Sequence, residues 1–187
     1  MKKLLLFIAL VLSISAHAVH LEFMGIPING SISNFQAKLI AKGCTLDKYS
    51  KELPTGIRGF KGVFAGKDCQ IIVWFNHRTK QVYQVRAIVE CSSLEIAHST
   101  FDYYKDLLNQ KYSDVSLTSD MLDEPQEPYN FSMMIMEPPI EAGALLVGSI
   151  SIHIINYETY PEAYGLAITY EDMENSKKNE QSTLEDL

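Results

Sequence analysis

The chain has 187 residues, 47% of them hydrophobic and 21% charged, with a formal net charge of −7 at pH 7. That balance fits a folded globular chain and excludes a disordered or fibrous one. An acidic chain with no run of basic residues repels phosphate backbones, so nucleic acid is excluded as the expected partner.

Lys2 and Lys3 precede an apolar run at 4–12, and residues 13–18 end in Ala16-His17-Ala18. A basic head, an apolar stretch too short to span a bilayer and an A-x-A processing site predict a signal peptide at 1–18. The mature chain is then expected to start at Val19, and losing the two leader lysines takes the charge from −7 to −9. The expected address is exported: bacterial periplasm or extracellular medium. No other apolar stretch approaches the length of a membrane span, and Val19 and His20 stand where a lipid anchor would need cysteine. No membrane association is expected after cleavage.

Residues 21–23 predict a strand, followed by a turn ending in Asn29-Gly30. Ser33 with Gln36 three residues on reads as a capping box for a helix over 34–42, with Phe35 and Leu39 on one face. Gly43 suits the positive-φ position that ends such a helix. A charged loop over 45–55 leads to three strands, 60–65, 69–76 and 81–90, joined by turns at 66–68 and 77–80. The middle strand is apolar on both faces from Ile71 to Phe75, which places it centrally. In the third, Tyr83, Val85, Ala87 and Val89 alternate with Gln84, Arg86 and Glu90, which predicts an antiparallel meander with one wet face.

Ser92 and Glu95 read as a second capping box. Behind it, Leu94, Ala97, Phe101, Tyr104, Leu108 and Tyr112 recur at spacings of three and four, the pattern of a helix covering a sheet. Residues 113–130 are acidic and interrupted by Pro125 and Pro128. Strands are expected at 131–136, 144–156 and 164–170, with Gly148 marking a bulge or a close backbone approach. From Met173 the sequence is polar and predicts a frayed or weakly helical tail. The expected fold class is α+β: a single domain over 19–172 made of two successive helix-plus-antiparallel-sheet halves, 31–91 and 92–171. Both helices lie on one sheet face, and a polar tail follows at 173–187. That layout is similar to beta-lactamase inhibitor protein and to the small outer-membrane assembly lipoproteins.

Several stretches together carry a more specific resemblance. They are LEFMGIPING at 21–30, GFKGVFAG at 59–66, QVYQV at 81–85, YKDLL at 104–108, GSISI at 148–152, ITYED at 168–172 and the terminal EDL. In this order they resemble an uncharacterised family of small exported bacterial proteins that read F-x-G-[IV]-P-[IL]-[DN]-G after the leader, F-x-G-x-F-A-G before the hairpin and D-D-L at the end. The resemblance spans nearly the whole mature chain and implies export and a scaffold rich in glycines, aromatics and strand residues. It supplies no active residue. One departure is Ser113 after Lys111-Tyr112, where such proteins carry glycine; another is a shorter, more acidic linker beyond it.

Candidate chemistry is sparse. Cys44, Cys69 and Cys91 number three, so an oxidising compartment allows one bridge, with Cys44–Cys69 the preferred pair and three buried thiols the alternative. The glycines at 56, 59, 62 and 66 with Lys67 miss the spacing of a phosphate loop, and Asp68 stands where Ser or Thr should. Cys91 with His98 would make a thiolate–histidine pair, but His98 falls on the polar side of its helix. Glu95 and His98 supply only two metal ligands, and the acidic stretch lacks the spacing of a calcium loop. The expectation is therefore no catalytic, metal-binding or cofactor-binding residue, hence not an enzyme. Tyr129, Tyr157, Tyr160 and Tyr164 are candidate partner-binding residues, since tyrosines give large contact area at small entropic cost. The expected function is binding of a protein, peptide or envelope component. An inhibitor or accessory factor of a secreted enzyme is the first alternative, and a small hydrolase with a dispersed site the second.

Overall fold

The computed structural model describes residues 19–118, 129–138, 144–157 and 163–185. Strands β1 (Glu22–Phe23) and β2 (Ile26–Pro27) form a small hairpin, and its turn residues Met24 and Gly25 both have positive φ, 55° and 71°. Two successive positive-φ residues give the turn whose twist matches paired antiparallel strands. The hairpin and Ile28 carry Leu21, Phe23, Ile26 and Ile28 into the core.

Helix α1 (Ile32–Ala41) buries Ile32, Phe35 and Leu39. Its cap is Ser31 rather than Ser33: Ser31 has extended backbone, and its hydroxyl accepts the Asn34 amide at 3.3 Å. Ser33 already lies inside the helix, and Gln36 instead accepts from the Arg58 guanidinium at 2.7 Å. Gly43 has φ +88°, as the helix stop predicts. The loop expected over 45–55 contains strand β3 (Thr45–Leu46) and a 3-10 turn (Lys48–Glu52) capped by Asp47.

Strands β4 (Ile57–Phe64), β5 (Lys67–Phe75) and β6 (Val82–Cys91) form the expected meander. The β4–β5 turn is the pair Ala65-Gly66, with φ of 46° and 84°, one residue earlier than predicted. Helix α2 (Leu94–Tyr112) is capped by Ser93, whose hydroxyl accepts the Ile96 amide, and not by Ser92. Ala97, Phe101, Tyr104, Leu108 and Tyr112 are buried as the periodicity predicts, while Leu94 is exposed in the first turn. Ser113 sits at the helix C-cap with right-handed backbone (φ −47°), so glycine is not needed there.

Strands β7 (Ser116–Thr118), β8 (Asn130–Met136), β9 (Leu146–Asn156) and β10 (Tyr164–Asp172) complete one eight-stranded antiparallel sheet. Its order is β3-β4-β5-β6-β10-β9-β8-β7, so the two meanders meet where β6 pairs with β10. Gly148 meets both sequence expectations. The register slips beside it, and a Cβ at this position would lie 2.4 Å from the Glu171 carbonyl oxygen. The polar tail forms helix α3 (Met173–Leu184), capped by Asp172.

Alternation divides the sheet into two faces. One carries Phe60, Val73, Val85, Val89, Ile152 and Ile168 into a single core with the apolar sides of α1 and α2. Within it Phe23 and Phe64 stack at 5.0 Å, Phe64 stacks on Tyr104 at 5.7 Å, and the Tyr104 hydroxyl donates to the Phe64 carbonyl at 2.8 Å. Helix α3 contributes no large apolar residue to this core. It docks against the ends of β6 and β9 and the β5–β6 connection, chiefly through polar groups.

Candidate functional site

Among the described residues, no α-helix packs on the centre of the second sheet face. Register places Gly59, Ile72, Arg86, Thr169, Ser151 and Ser132 side by side across six strands. The next row toward the Glu90 end holds Gln70, Ile88, Ala167 and His153, and the row on the other side holds Trp74, Gln84, Glu171 and Ser149. The β9–β10 half of the face thus carries Ser149, Ser151, Thr169 and Ala167, with His153 and Glu171 flanking them. The β5–β6 half presents Trp74, Ile72 and Ile88. Leu53, from the segment after the 3-10 turn, reaches over Gly59 toward Ile72 and covers the far edge.

Arg86 sits near the middle, half-buried. Its Nε donates to Thr169 Oγ1 at 2.9 Å, and its guanidinium carbon lies 5.1 Å from the centre of the Trp74 ring. Burial pulls its pKa below the ordinary arginine value, although a guanidinium stays charged regardless. Among the described residues no carboxylate lies within 4.0 Å of it. His153 is held below the ordinary histidine pKa, first by burial and second by the Arg86 charge. Next to this centre a groove of about 860 Å³ runs over β4, β5 and β6, with Lys61, Asp68, Gln70, Ile88 and Glu90 in its lining. The face therefore offers one desolvated cation stacked on an aromatic ring, flanking apolar surface and a field of hydroxyls.

Two further cavities lie elsewhere. One of about 490 Å³ is lined by Asn29, Asn76, Gln81, Asn175 and Asn179 with His20 and Lys178. Its carboxamides bond largely to one another: Asn76 donates to Asn179 at 3.0 Å, Gln81 to Asn175 at 3.3 Å, and Asn175 to the Ile28 carbonyl at 2.7 Å. This network fastens α3. The other, about 390 Å³, is an apolar notch between α2 and the β1–β2 hairpin.

Of the tyrosines singled out in the sequence, the three described ones do not share a surface. Tyr129 stacks on His98 with ring centres 3.6 Å apart, on the outside of α2. Tyr164 packs against the core. Tyr157 lies on the open face, its hydroxyl filling the space beside Gly165. Tyr160 lies outside the described residues, as does most of the acidic stretch at 114–127. His98 is occupied by Tyr129, whereas Cys91 points inward to the Val89 carbonyl and Thr100.

Cys44, Cys69 and Cys91 are buried as free thiols. Gly62 pairs directly with Cys69 across the strands, and Cys44 Sγ occupies the place of the missing Gly62 side chain, 2.6 Å from an ideal Cβ. Burial first, then the neighbouring Cys44 and Asp68, push the Cys69 thiol up to about 12. Among the described residues no three His, Cys, Asp or Glu side chains are grouped to hold a metal ion, and no helix is long and apolar enough to cross a membrane.

Reading the sequence alone missed Trp74, Arg86 and His153 as a group. The available signal was the chain's single tryptophan on a central strand, with an arginine on the wet face of the next. No protein-family model, curated protein or solved structure matches the chain.

Proposed function

We propose that this chain is an exported, non-catalytic binding protein that recognises a protein, peptide or envelope component through its open sheet face. The observation that carries the reading is the half-buried Arg86 over the Trp74 ring, with apolar Ile72 and Ile88 beside it on a sheet face whose centre no described helix covers. Tryptophan and arginine are the residues most enriched where binding energy concentrates. A soluble protein gains no stability from leaving such groups half-desolvated without a carboxylate partner, which supports a partner that completes the site. The leader at 1–18 supports the exported address, and the resemblance to small exported bacterial proteins is part of the same proposal.

The two-halves description belongs here too. In each half a helix precedes three sheet strands in order, α1 before β4-β5-β6 and α2 before β8-β9-β10, which supports a doubled unit like that of beta-lactamase inhibitor protein. An uncovered sheet shared by both units favours the inhibitor or accessory-factor reading as the specific form of the binding function. In an oxidising compartment Cys44 and Cys69 would pair across Gly62.

The test is site-specific photo-crosslinking in the producing cells. A crosslinker at Ile88 should yield one discrete adduct, and one at Asp102, exposed on the outer side of α2, should yield none. Adducts from both positions or from neither would overturn the reading, as would recovery of the uncleaved chain in the cytosol.

A further inference from the structure

The geometry points to a more specific recognition rule, resting on the binding reading above: the open face takes a partner polypeptide whose Asp or Glu side chain lands on the guanidinium of Arg86 while adjacent apolar residues cover Trp74 and Ile88.

Four observations lead there. Arg86 spends Nε on Thr169 Oγ1, and its two terminal amino groups have no hydrogen-bond partner among the described residues. The Nε bond to Thr169 and the Trp74 ring, 5.1 Å from the guanidinium carbon, hold the group from one side and leave its terminal amino groups, a planar fork by their chemistry, to match a carboxylate through two parallel bonds. The row continues from Thr169 to Ser151 and Ser132, small hydroxyls that leave room above the fork and can bond to main-chain groups of an incoming segment. Finally, the charges around the face discriminate against free anions. Glu171 on the neighbouring row repels a small anion diffusing alone, as do Glu90, two rows away, and Asp68 in the groove, set against Lys42 and Lys61 there. A carboxylate delivered by a polypeptide also gains apolar contact on Trp74, Ile72 and Ile88, which offsets that repulsion. The occupant is thus an acidic residue within an apolar stretch of a partner chain, not a small carboxylate or phosphate.

The experiment selects a random peptide display library on the immobilised protein, with Arg86→Gln as the counter-bait and Arg86→Lys as a second variant that keeps the charge but loses the fork. Trp74 is the only tryptophan, so its fluorescence reports occupancy of this site directly. The expected result is enrichment of peptides carrying Asp or Glu beside apolar residues. Synthetic copies should change Trp74 emission, and affinity should fall about tenfold or more both for Arg86→Gln and for the peptide with Glu changed to Gln. Arg86→Lys should show a smaller loss, and it alone decides the matter if Arg86→Gln does not fold. Enriched peptides without an acidic residue, or binding both variants as well as the parent, would sink the carboxylate rule and leave the broader binding function standing. The same fluorescence change from sodium acetate alone would reassign the site to small anions. No enrichment on any bait would overturn both proposals.

Discussion

The Asp172 carboxylate accepts the Leu21 amide at 3.0 Å, joining positions 151 residues apart. The same carboxylate caps helix α3 by accepting the Asn175 amide at 3.0 Å and takes His20 Nδ1 at 3.0 Å. Fully buried Asp172 is therefore the knot between the first described strand and the last helix. Asp172→Ala strands two buried amides and removes the cap, at a cost of about 3 kcal/mol, read as a drop in urea midpoint at unchanged slope. Burial raises the pKa of this carboxyl, and the three donors offset only part of that effect. Its native state thus holds the proton more tightly than the unfolded chain does. The linked stability is fully present below about pH 3.8, the unfolded value, and is lost as pH rises through the folded value. The stability difference between the parent and Asp172→Asn should shift in the parent's favour on acidification; a difference that shifts the other way rejects this account.

A Cβ at Gly148 would meet the β10 backbone first, the Glu171 carbonyl oxygen at 2.4 Å, and then the buried Leu21 side chain at 3.1 Å. Gly148→Ala should cost about 1–3 kcal/mol, because the strands must separate to admit one methyl group. Gly43 offers the contrast, with open space around its missing side chain but φ +88°. Gly43→Ala should cost about 1 kcal/mol through backbone strain alone. Thermal melts of the two variants side by side test that ranking.

The Cys69 thiol, pushed up to about 12, is almost wholly protonated at pH 8, with roughly one thiolate in ten thousand. Iodoacetamide should leave the reduced native protein unlabelled at Cys69 until it unfolds. For protein recovered from an oxidising compartment, the proposed Cys44–Cys69 bridge predicts one free thiol in denaturant, at Cys91; a count of three rejects it.

His153 titrates below the ordinary histidine value, because burial and Arg86 both disfavour its charged form. The native state resists a proton that the unfolded chain accepts near pH 6.5, so this contribution to stability holds above about pH 6.5 and is lost on acidification. An NMR titration should show the His153 ring moving toward the ordinary value in Arg86→Gln. No movement would mean that burial alone sets it.

Elements whose burial is mainly apolar and periodic could be read from the sequence: the inner side of α2, the meander β4-β5-β6 and the stop at Gly43. Where adjacent serines competed, backbone conformation decided the cap, and composition carries no trace of that choice. Helix α3 was legible only as a frayed or weakly helical tail because amides hold it; Asn175 and Asn179 replace the apolar stripe that periodicity detects. The open-face centre escaped for a different reason. Arg86 and Thr169 lie 83 residues apart and meet only through the β6–β10 pairing, a long-range register that no local pattern encodes. The sequence did contain the alternation that puts Arg86 on the wet face.

Among the described residues the outermost strands of the sheet are very short: β3 has two residues and β7 three. Short borders offer too few unpaired amides and carbonyls to template another chain. An abundant protein of this build is thereby protected from fibril growth by strand addition, and other molecules are left to meet it broadside.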